Sequence, residues 1–378
     1  MPASFFRRFA KRTFIFLNVL AAVMFLAGCY ASWFNPVQFW FVGFFTLASF
    51  YLLLVLVGFI VFWLFAKPKI ALLSIITIVL AWSPLRELFR IKSSGFAIEK
   101  KSTALRVMSW NVAHFDISEH DKRPEVKDQM LNLIRRYEPD VACFQEMVGS
   151  DSFPNAINYV PDIAKSINMP YYFYSYNWKL NYNGQHHFGI IIFSRHPFAS
   201  KHTMSYAPNN YNSIFQYTDV VVNTDTFRLF NLHLQSLKFS PQNLEYLSEP
   251  SLEEGKNLKE SMSLVKKFKT GFIHRQEQSD HIRRAISESP YPTIVCGDFN
   301  DVPNSYAYST IGKGMKNAFT EKGSGIGRTF SGISPTLRID NIFAGKNFDV
   351  QQYTCVAKKM SDHYPIIADL VYKKQPDR

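Results

Sequence analysis

The chain has 378 residues, enough for more than one unit, and a formal net charge of +12. Ten Lys/Arg and two Glu fall in the first hundred residues, so +8 of that charge sits there and +4 is left for residues 101–378. The high pI is therefore no argument for a nucleic-acid-binding face on the remainder. Four scattered cysteines, Cys29, Cys143, Cys296 and Cys355, have no CxxC spacing and exclude a disulfide framework or a cysteine zinc site.

Residues 1–90 are dominated by long Phe/Leu/Val runs. Phe14 to Ala31 is apolar and follows Arg7, Arg8, Lys11 and Arg12. Phe39 to Phe65 is apolar throughout and long enough to cross a hydrocarbon core of about 30 Å. Ile70 to Leu85 is a weaker third segment, interrupted by Ser74, Thr77 and Ser83. Lys67 and Lys69 separate the second and third segments, whereas Ser32–Gln38 carries no charge. The positive-inside rule then puts the N-terminus and the Lys67 loop in the cytoplasm. If the third segment spans, everything beyond residue 90 lies outside, which Arg86, Arg90 and Lys92 mildly oppose. If it is only a buried or interfacial helix, the following domain is cytoplasmic. Leu26-Ala27-Gly28-Cys29 resembles a lipoprotein cleavage site, but a second apolar segment follows at once and favours an uncleaved span.

Residues 91–103 read as a linker and 104–373 as a soluble domain. Leu105–Trp110 is a strand. Val126, Met130, Leu133 and Ile134 give Glu125–Tyr137 helical spacing. Val141–Phe144 is the next buried strand. A helix is expected at 153–167, an aromatic strand at Tyr171–Tyr176 and a buried strand within His187–Ser194. Ile214–Val222 and Thr226–Leu234 flank Asn223-Thr224-Asp225, a hairpin signal. Residues 240–289 are polar with one or two surface helices. Thr293–Cys296, Ile339–Phe343, Val350–Val356 and Ile366–Tyr372 complete the strands. Strands outnumber helices, and hairpins mix with crossovers, as in two packed sheets with helices outside.

Polar residues stand at strand ends in six places: Ser109-Trp110-Asn111, Gln145-Glu146, Asn231-Leu232-His233-Leu234, Gly297-Asp298-Phe299-Asn300, Arg338-Ile339-Asp340 and Ser361-Asp362-His363. Each alone has a structural explanation: Asp340 pairs with Arg338, Asp298 and Asn300 shape a turn, His233 is a satisfied core histidine. Together they fit phosphoester hydrolysis. A hard divalent cation needs oxygen ligands, supplied by Glu146 with Asn111. Asp298 is placed to orient or deprotonate water. Asn300 can hydrogen-bond developing charge without repelling it. His233 and His363 can donate to a phosphate, with Asp340 orienting His363.

In this order the six motifs resemble those of the endonuclease/exonuclease/phosphatase superfamily, which has the deoxyribonuclease I-like fold, over residues 104–373. The membrane start followed by such a domain resembles a group of bacterial membrane-anchored members. The resemblance implies a four-layered αββα sandwich and a Mg²⁺- or Mn²⁺-dependent phosphoesterase. By motif position, Asn111, Glu146 and Asp362 would serve the metal, and His233, Asp298, Asn300, Asp340 and His363 catalysis. It implies a hydrolase of nuclease type, with a sphingomyelinase-like or inositol-phosphate enzyme acting on lipid headgroups as the alternative, and an inactive membrane scaffold as the alternative from another class. The expected partners are a phosphate-ester substrate and the lipid bilayer, with no obligate protein partner. The expected location is the bacterial inner membrane, multi-pass, with the domain periplasmic.

Overall fold

The computed structural model describes residues 2–374 except 92–94, 120–121, 124, 151–157, 183–185, 206–213, 238, 240–242, 244–245 and 247–253. Twelve strands form two mixed six-stranded sheets among the described residues. The first has the order β11-β12-β1-β2-β4-β3, from β1 (Leu105–Asn111), β2 (Val141–Ser150), β3 (Tyr171–Tyr182), β4 (His186–Ser194), β11 (Phe348–Cys355) and β12 (Ile366–Tyr372). The second has the order β5-β6-β7-β8-β10-β9, from β5 (Phe198–Ser205), β6 (Ile214–Val222), β7 (Asp225–His233), β8 (Thr293–Asp298), β9 (Lys316–Asn317) and β10 (Asp340–Ala344). The sheets face each other across Val107, Cys143, Ile192, Leu229, Cys296 and Ile366, all buried. Both cysteines pack as apolar residues, as expected of free Cys in strands.

Helices cover both outer faces, which gives the four-layered sandwich. Helix α7 (Glu125–Tyr137) buries the expected stripe Val126, Met130, Leu133 and Ile134 on the first sheet. Its acidic first turn and basic last turn suit the helix dipole. Helix α8 (Tyr159–Ser166) joins it, capped by the Asn158 side chain. The early part of the expected 153–167 helix, residues 153–157, lies outside the described residues. Among the described residues of the polar region 240–289 stands a long helix, α9 (Glu254–Ser287), with Ile282 and Ile286 on the second sheet beside α10 (Tyr306–Ile311). A short helix, α11 (Ala318–Lys322), follows β9.

The N-terminal region is helical: α1 (Pro2–Cys29), α2 (Pro36–Phe39), α3 (Val42–Leu47), α4 (Ser49–Ala66), α5 (Pro68–Leu80) and α6 (Trp82–Leu88). Two helices, Phe5–Cys29 and Ser49–Ala66, are long and apolar enough to cross a membrane; the pair α5 and α6, bent by 66°, makes three if it counts as one span. The expected continuous segment from Phe39 to Phe65 is broken, because its first third packs on protein. The Phe44 ring lies 5.2 Å from that of Phe268, tilted to it, and 5.7 Å from that of Phe272 of α9, edge to face, and Gly43 touches Phe272 closely. Within the helical region, a Cβ on Gly28 would lie 2.4 Å from the Phe45 carbonyl oxygen, so α1 and α3 meet at backbone contact. Asn18 accepts a hydrogen bond from Ser74 at 2.8 Å.

The helices have two distinct ends. At one, Lys11 lies beside Lys67. At the other, residues 30–48 and 82–90 meet the sandwich. There Asn304 donates to the Pro84 carbonyl at 3.0 Å, Tyr308 donates to Glu87 at 2.6 Å, and Arg338 donates to the Glu87 carbonyl.

Candidate active site

Strand register sets the site. In the second sheet His233 of β7 lies opposite Asp298 of β8, and Asp298 lies opposite Asp340 of β10. In the first sheet β1 and β2 run parallel, and their ladder ends at the pair Asn111 and Gln145. Glu146 occupies a bulge where the β2–β4 register slips between Phe144 and Met147, with φ +50°. A bulge re-aims one side chain out of the alternating pattern, and here it turns a carboxylate onto the rim.

Two residues lock the sheets so that these rims meet. Gln145 donates to Asn231 at 2.7 Å, and Asn231 donates to the carbonyls of Phe144 and Ile191 at 3.1 and 2.9 Å. Both are fully buried. They belong to the strand-end motifs, yet the sequence reading gave them no role, since only the fold shows that Asn231 crosses between sheets.

The residues expected to converge do so. Asn111 donates to Asp298 Oδ2 at 3.1 Å, and the Asn300 backbone N–H donates to Asp298 Oδ1 at 2.8 Å. His233 Nε2 lies 3.7 Å from both Glu146 Oε1 and Asp298 Oδ2. His363 Nε2 lies 3.7 Å from Asp298 Oδ2, while its Nδ1 is 2.9 Å from Asp340 Oδ2. Glu146, Asp298, Asn300, Asp362 and His363 line one cavity of about 390 Å³. Asn300 holds its place with φ +50° and a 3.0 Å bond from its amide to the Leu234 carbonyl. Asp362 is exposed and accepts from Ser361.

Surrounding groups fix the backbone. Trp110 Nε1 donates to the His363 carbonyl at 3.0 Å, and Ser361 Oγ donates to the Asn111 carbonyl at 2.8 Å. Thr329 Oγ1 accepts from the N–H groups of Ile339 and Asp340. Arg338 does not pair with Asp340. Its guanidinium lies 3.8 Å over the Phe319 ring and bonds the Ile326 and Glu87 carbonyls. One further histidine joins the site: His114 Nε2 is 3.9 Å from Glu146 Oε2. It stands in a run, Ala113 to Asp116, whose φ values are all positive, 42° to 57°. That conformation costs about 1 kcal/mol or more per residue. Its position three residues after Asn111 was the available signal.

Electrostatics favour a cation. Burial pushes the Glu146 carboxyl up to about 7, and the neighbouring Asp362 adds to it. Burial likewise raises Asp298, with Asp340 adding to the push and His363 and His233 opposing it. Burial alone would lower His363, but Asp340 and Asp298 outweigh it and hold the imidazole near 10. Burial takes His114 down to about 4. Crowded carboxylates with raised pKa values are what a divalent ion relieves. Asp298, Asp340 and His363 offer ligand atoms within 4.8 Å of one another, and the buried Asp340 Oδ1 has no hydrogen-bond partner among the described residues. The carboxylates that line the cavity, Glu146, Asp298 and Asp362, supply the oxygen atoms that a hard cation takes.

Several solved structures are similar to this one. An endonuclease/exonuclease/phosphatase family protein from Bacteroides thetaiotaomicron is 18% identical, with a TM-score of 0.50, covering 73% of this chain and all of that one. A mannosyl-6-phosphatase from the same organism is 17% identical over 71% of this chain and all of that one (TM-score 0.48). A D. rerio TDP2 complexed with a single-strand DNA product is 17% identical over 71% and 99% (TM-score 0.47). No curated protein matches. Residues 11–88, a range that includes Leu26–Cys29, match a Domain of unknown function (DUF8431). Residues 108–363 match the Endonuclease/Exonuclease/phosphatase family, so the chain belongs to that family of metal-dependent phosphoester hydrolases.

Proposed function

We propose that the protein is a membrane-held phosphoesterase using Mg²⁺ or Mn²⁺ at the Glu146 side of the cleft, with Asn111 and Asp362 assisting. The observation that carries this reading is the meeting of Glu146, Asp298 and Asp362 with His363 in one cavity, Asp340 bonded behind the imidazole. The tighter trio Asp298, Asp340 and His363 is less suited to the ion. All three are buried, Asp340 Oδ2 is engaged by His363, and Mg²⁺ keeps several waters. A bound divalent ion neutralises phosphate charge and polarises a phosphoryl oxygen. Asp298, fixed by Asn111 and the Asn300 N–H, accepts the proton of the attacking water. His363, held charged by Asp340, and His233 donate to phosphate oxygens, with Asn300 beside them.

The membrane reading rests on the two-ended arrangement of α1, α4 and α5. The basic residues Arg7, Arg8, Lys11, Arg12, Lys67 and Lys69 gather away from the sandwich. With three crossings, the positive-inside rule puts the domain on the extracytoplasmic face of an inner membrane. This assigns residues 1–90 to the membrane, 91–103 to a linker and 104–373 to catalysis.

A nuclease reading draws on exposed Tyr171, Tyr172 and Tyr176, which can stack bases. Those residues lie on the edge strand β3, two strands away from Glu146, so the support is weak. The test is release of p-nitrophenol from bis(p-nitrophenyl) phosphate by the full chain in detergent. Activity with Mn²⁺ or Mg²⁺ that disappears with EDTA is expected; no turnover with either ion leaves the inactive scaffold.

A further inference from the structure

The cavity that holds Glu146, Asp298 and His363 has a second, apolar end, and part of that end does not belong to the sandwich. Leu47 closes α3 and Tyr51 sits in the first turn of α4, the most apolar of the membrane-length helices. Opposite them stand Phe268 of α9 and Ile333. Tyr51 is hydrogen-bonded to Ser334 at 2.9 Å, which ties this loop to the helix. Ile333 has φ +54° and is 53% exposed. A β-branched residue rarely takes that conformation, and strain of this kind gathers at ligand sites.

The same end of the molecule carries the marks of a bilayer surface. Trp33 and Trp82 are 78% and 65% exposed, and both adjoin the sandwich-facing ends of their helices. Trp residues collect at the headgroup level. Lys269 of α9 lies 5.4 Å over the Trp40 ring. Exposed Met262, Val265, Lys266 and Lys269 share one face of α9, an apolar-and-lysine stripe suited to lying on lipid. Among its described lining residues the cleft offers no row of free cations for a polyanion. Its one Lys or Arg among the described lining residues, Arg275, is buried and already paired with Asp301 at 3.0 Å. Nucleic acid needs a series of free cations along its backbone.

We propose that the substrate is a phosphate ester of a long-chain lipid, its chain lying along Leu47, Tyr51, Phe268 and Ile333 and its phosphate at Glu146, Asp298 and His363. This rests on the phosphoesterase reading above. In the reaction the water oxygen forms the new P–O bond and one ester P–O bond breaks. The leaving oxygen takes up a proton, so a monoester and water give alcohol and inorganic phosphate, and a diester and water give alcohol and a phosphate monoester. The lipid enters sideways from the outer leaflet, which explains why the membrane helices build a wall of the active site.

The test uses the full chain in nonionic detergent micelles with Mn²⁺. Dioleoyl and dibutyryl phosphatidic acid form a monoester pair, and dioleoyl and dibutyryl phosphatidylglycerol a diester pair. Bis(p-nitrophenyl) phosphate and supercoiled plasmid complete the set. The expected result is kcat/KM about fiftyfold higher for the long-chain member of one pair, since several methylenes are buried. The pair that responds tells a lipid monophosphate from a headgroup diester. Ile333→Asn suits the left-handed backbone and keeps the fold; it and Leu47→Gln are expected to cut the long-to-short ratio about tenfold. Equal rates for long and short chains, or faster plasmid cleavage, overturn the proposal while hydrolysis of the p-nitrophenyl ester leaves the phosphoesterase reading standing. No hydrolysis of any substrate overturns both.

Discussion

The helical region and the sandwich use the same apolar residue types and send them in opposite directions. In α4, Leu54, Val61 and Phe65 are 54%, 52% and 89% exposed, while in the sandwich Trp110, Phe144, Phe193 and Phe230 are fully buried. The sandwich closes on itself, with three apolar clusters of its own. The helices keep only a thin core, around Phe25 and Leu56, and leave much of their apolar surface exposed. The seam between the regions combines both styles: aromatic contact from Phe44 to α9, and hydrogen bonds from Asn304, Tyr308 and Arg338 to α6. Chemistry assigned wholly to the sandwich and substrate access shared with the helices can therefore be separated by mutation.

The largest effect tests the first half of that division. Asp298→Ala is expected to lower hydrolysis of a small phosphate diester by about three orders of magnitude, since it removes the carboxylate proposed to direct the water beside the proposed ion site. The far-UV spectrum should be unchanged, because the mutation deletes a buried carboxylate already crowded by Asp340. Turnover near the wild-type level would remove Asp298 from the mechanism.

Next in size is the lock between the sheets. Asn231→Ala leaves Gln145 and two buried carbonyls without their partner. A loss of about 3 kcal/mol in a denaturant titration is expected, with slower turnover because Glu146 and Asp298 sit on the two sheets that Asn231 joins. Unchanged stability would show that the rims align without it.

The seam should give a smaller change. Glu87→Ala removes the acceptor of the Tyr308 hydroxyl, at 2.6 Å, and keeps the Glu87 carbonyl used by Arg338. A loss of about 1–2 kcal/mol is expected. No loss at all would mean that the helical region is tethered to the sandwich and does not brace it.

Much of the sandwich could be read from the chain, for a physical reason. The apolar runs of Ile214–Val222 and Ile366–Tyr372 match β6 and β12, which are buried along most of their length, and the helical spacing of Glu125–Tyr137 matches α7, which buries one face. The strand-end motifs were legible because a buried run ending in polar groups has few other uses. What could not be read depends on distant partners. β5, Phe-Ala-Ser-Lys-His-Thr-Met-Ser, is polar and exists through its ladder with β6. The break at Phe39–Leu47 was hidden because a phenylalanine facing lipid and one facing Phe268 look alike in sequence. Arg338, two residues from Asp340, reaches instead for a carbonyl 251 positions earlier.

The smallest effect lies far from the site and reports on the sandwich alone. Asp219 and Arg228, paired across β6 and β7, meet at 2.8 and 2.9 Å, and Ser200 adds a bond at 2.6 Å. Burial raises the Asp219 pKa, but the Arg228 and Ser200 hydrogen bonds outweigh it and leave the carboxyl below the ordinary aspartate value. A depressed folded-state pKa adds stability that is fully present above the unfolded value, about pH 4, and is lost as pH falls through the folded value. Asp219→Asn is therefore expected to cost about 1 kcal/mol at pH 7 and progressively less as the pH falls below about 4. The measurement is the difference in unfolding midpoint between the two proteins across that range. A difference that grows on acidification would reverse the sign and show that burial, not Arg228, sets this carboxylate. A difference that stays flat would show that the pair is held by shape, with the Arg228 guanidinium resting 4.3 Å over the Tyr217 ring.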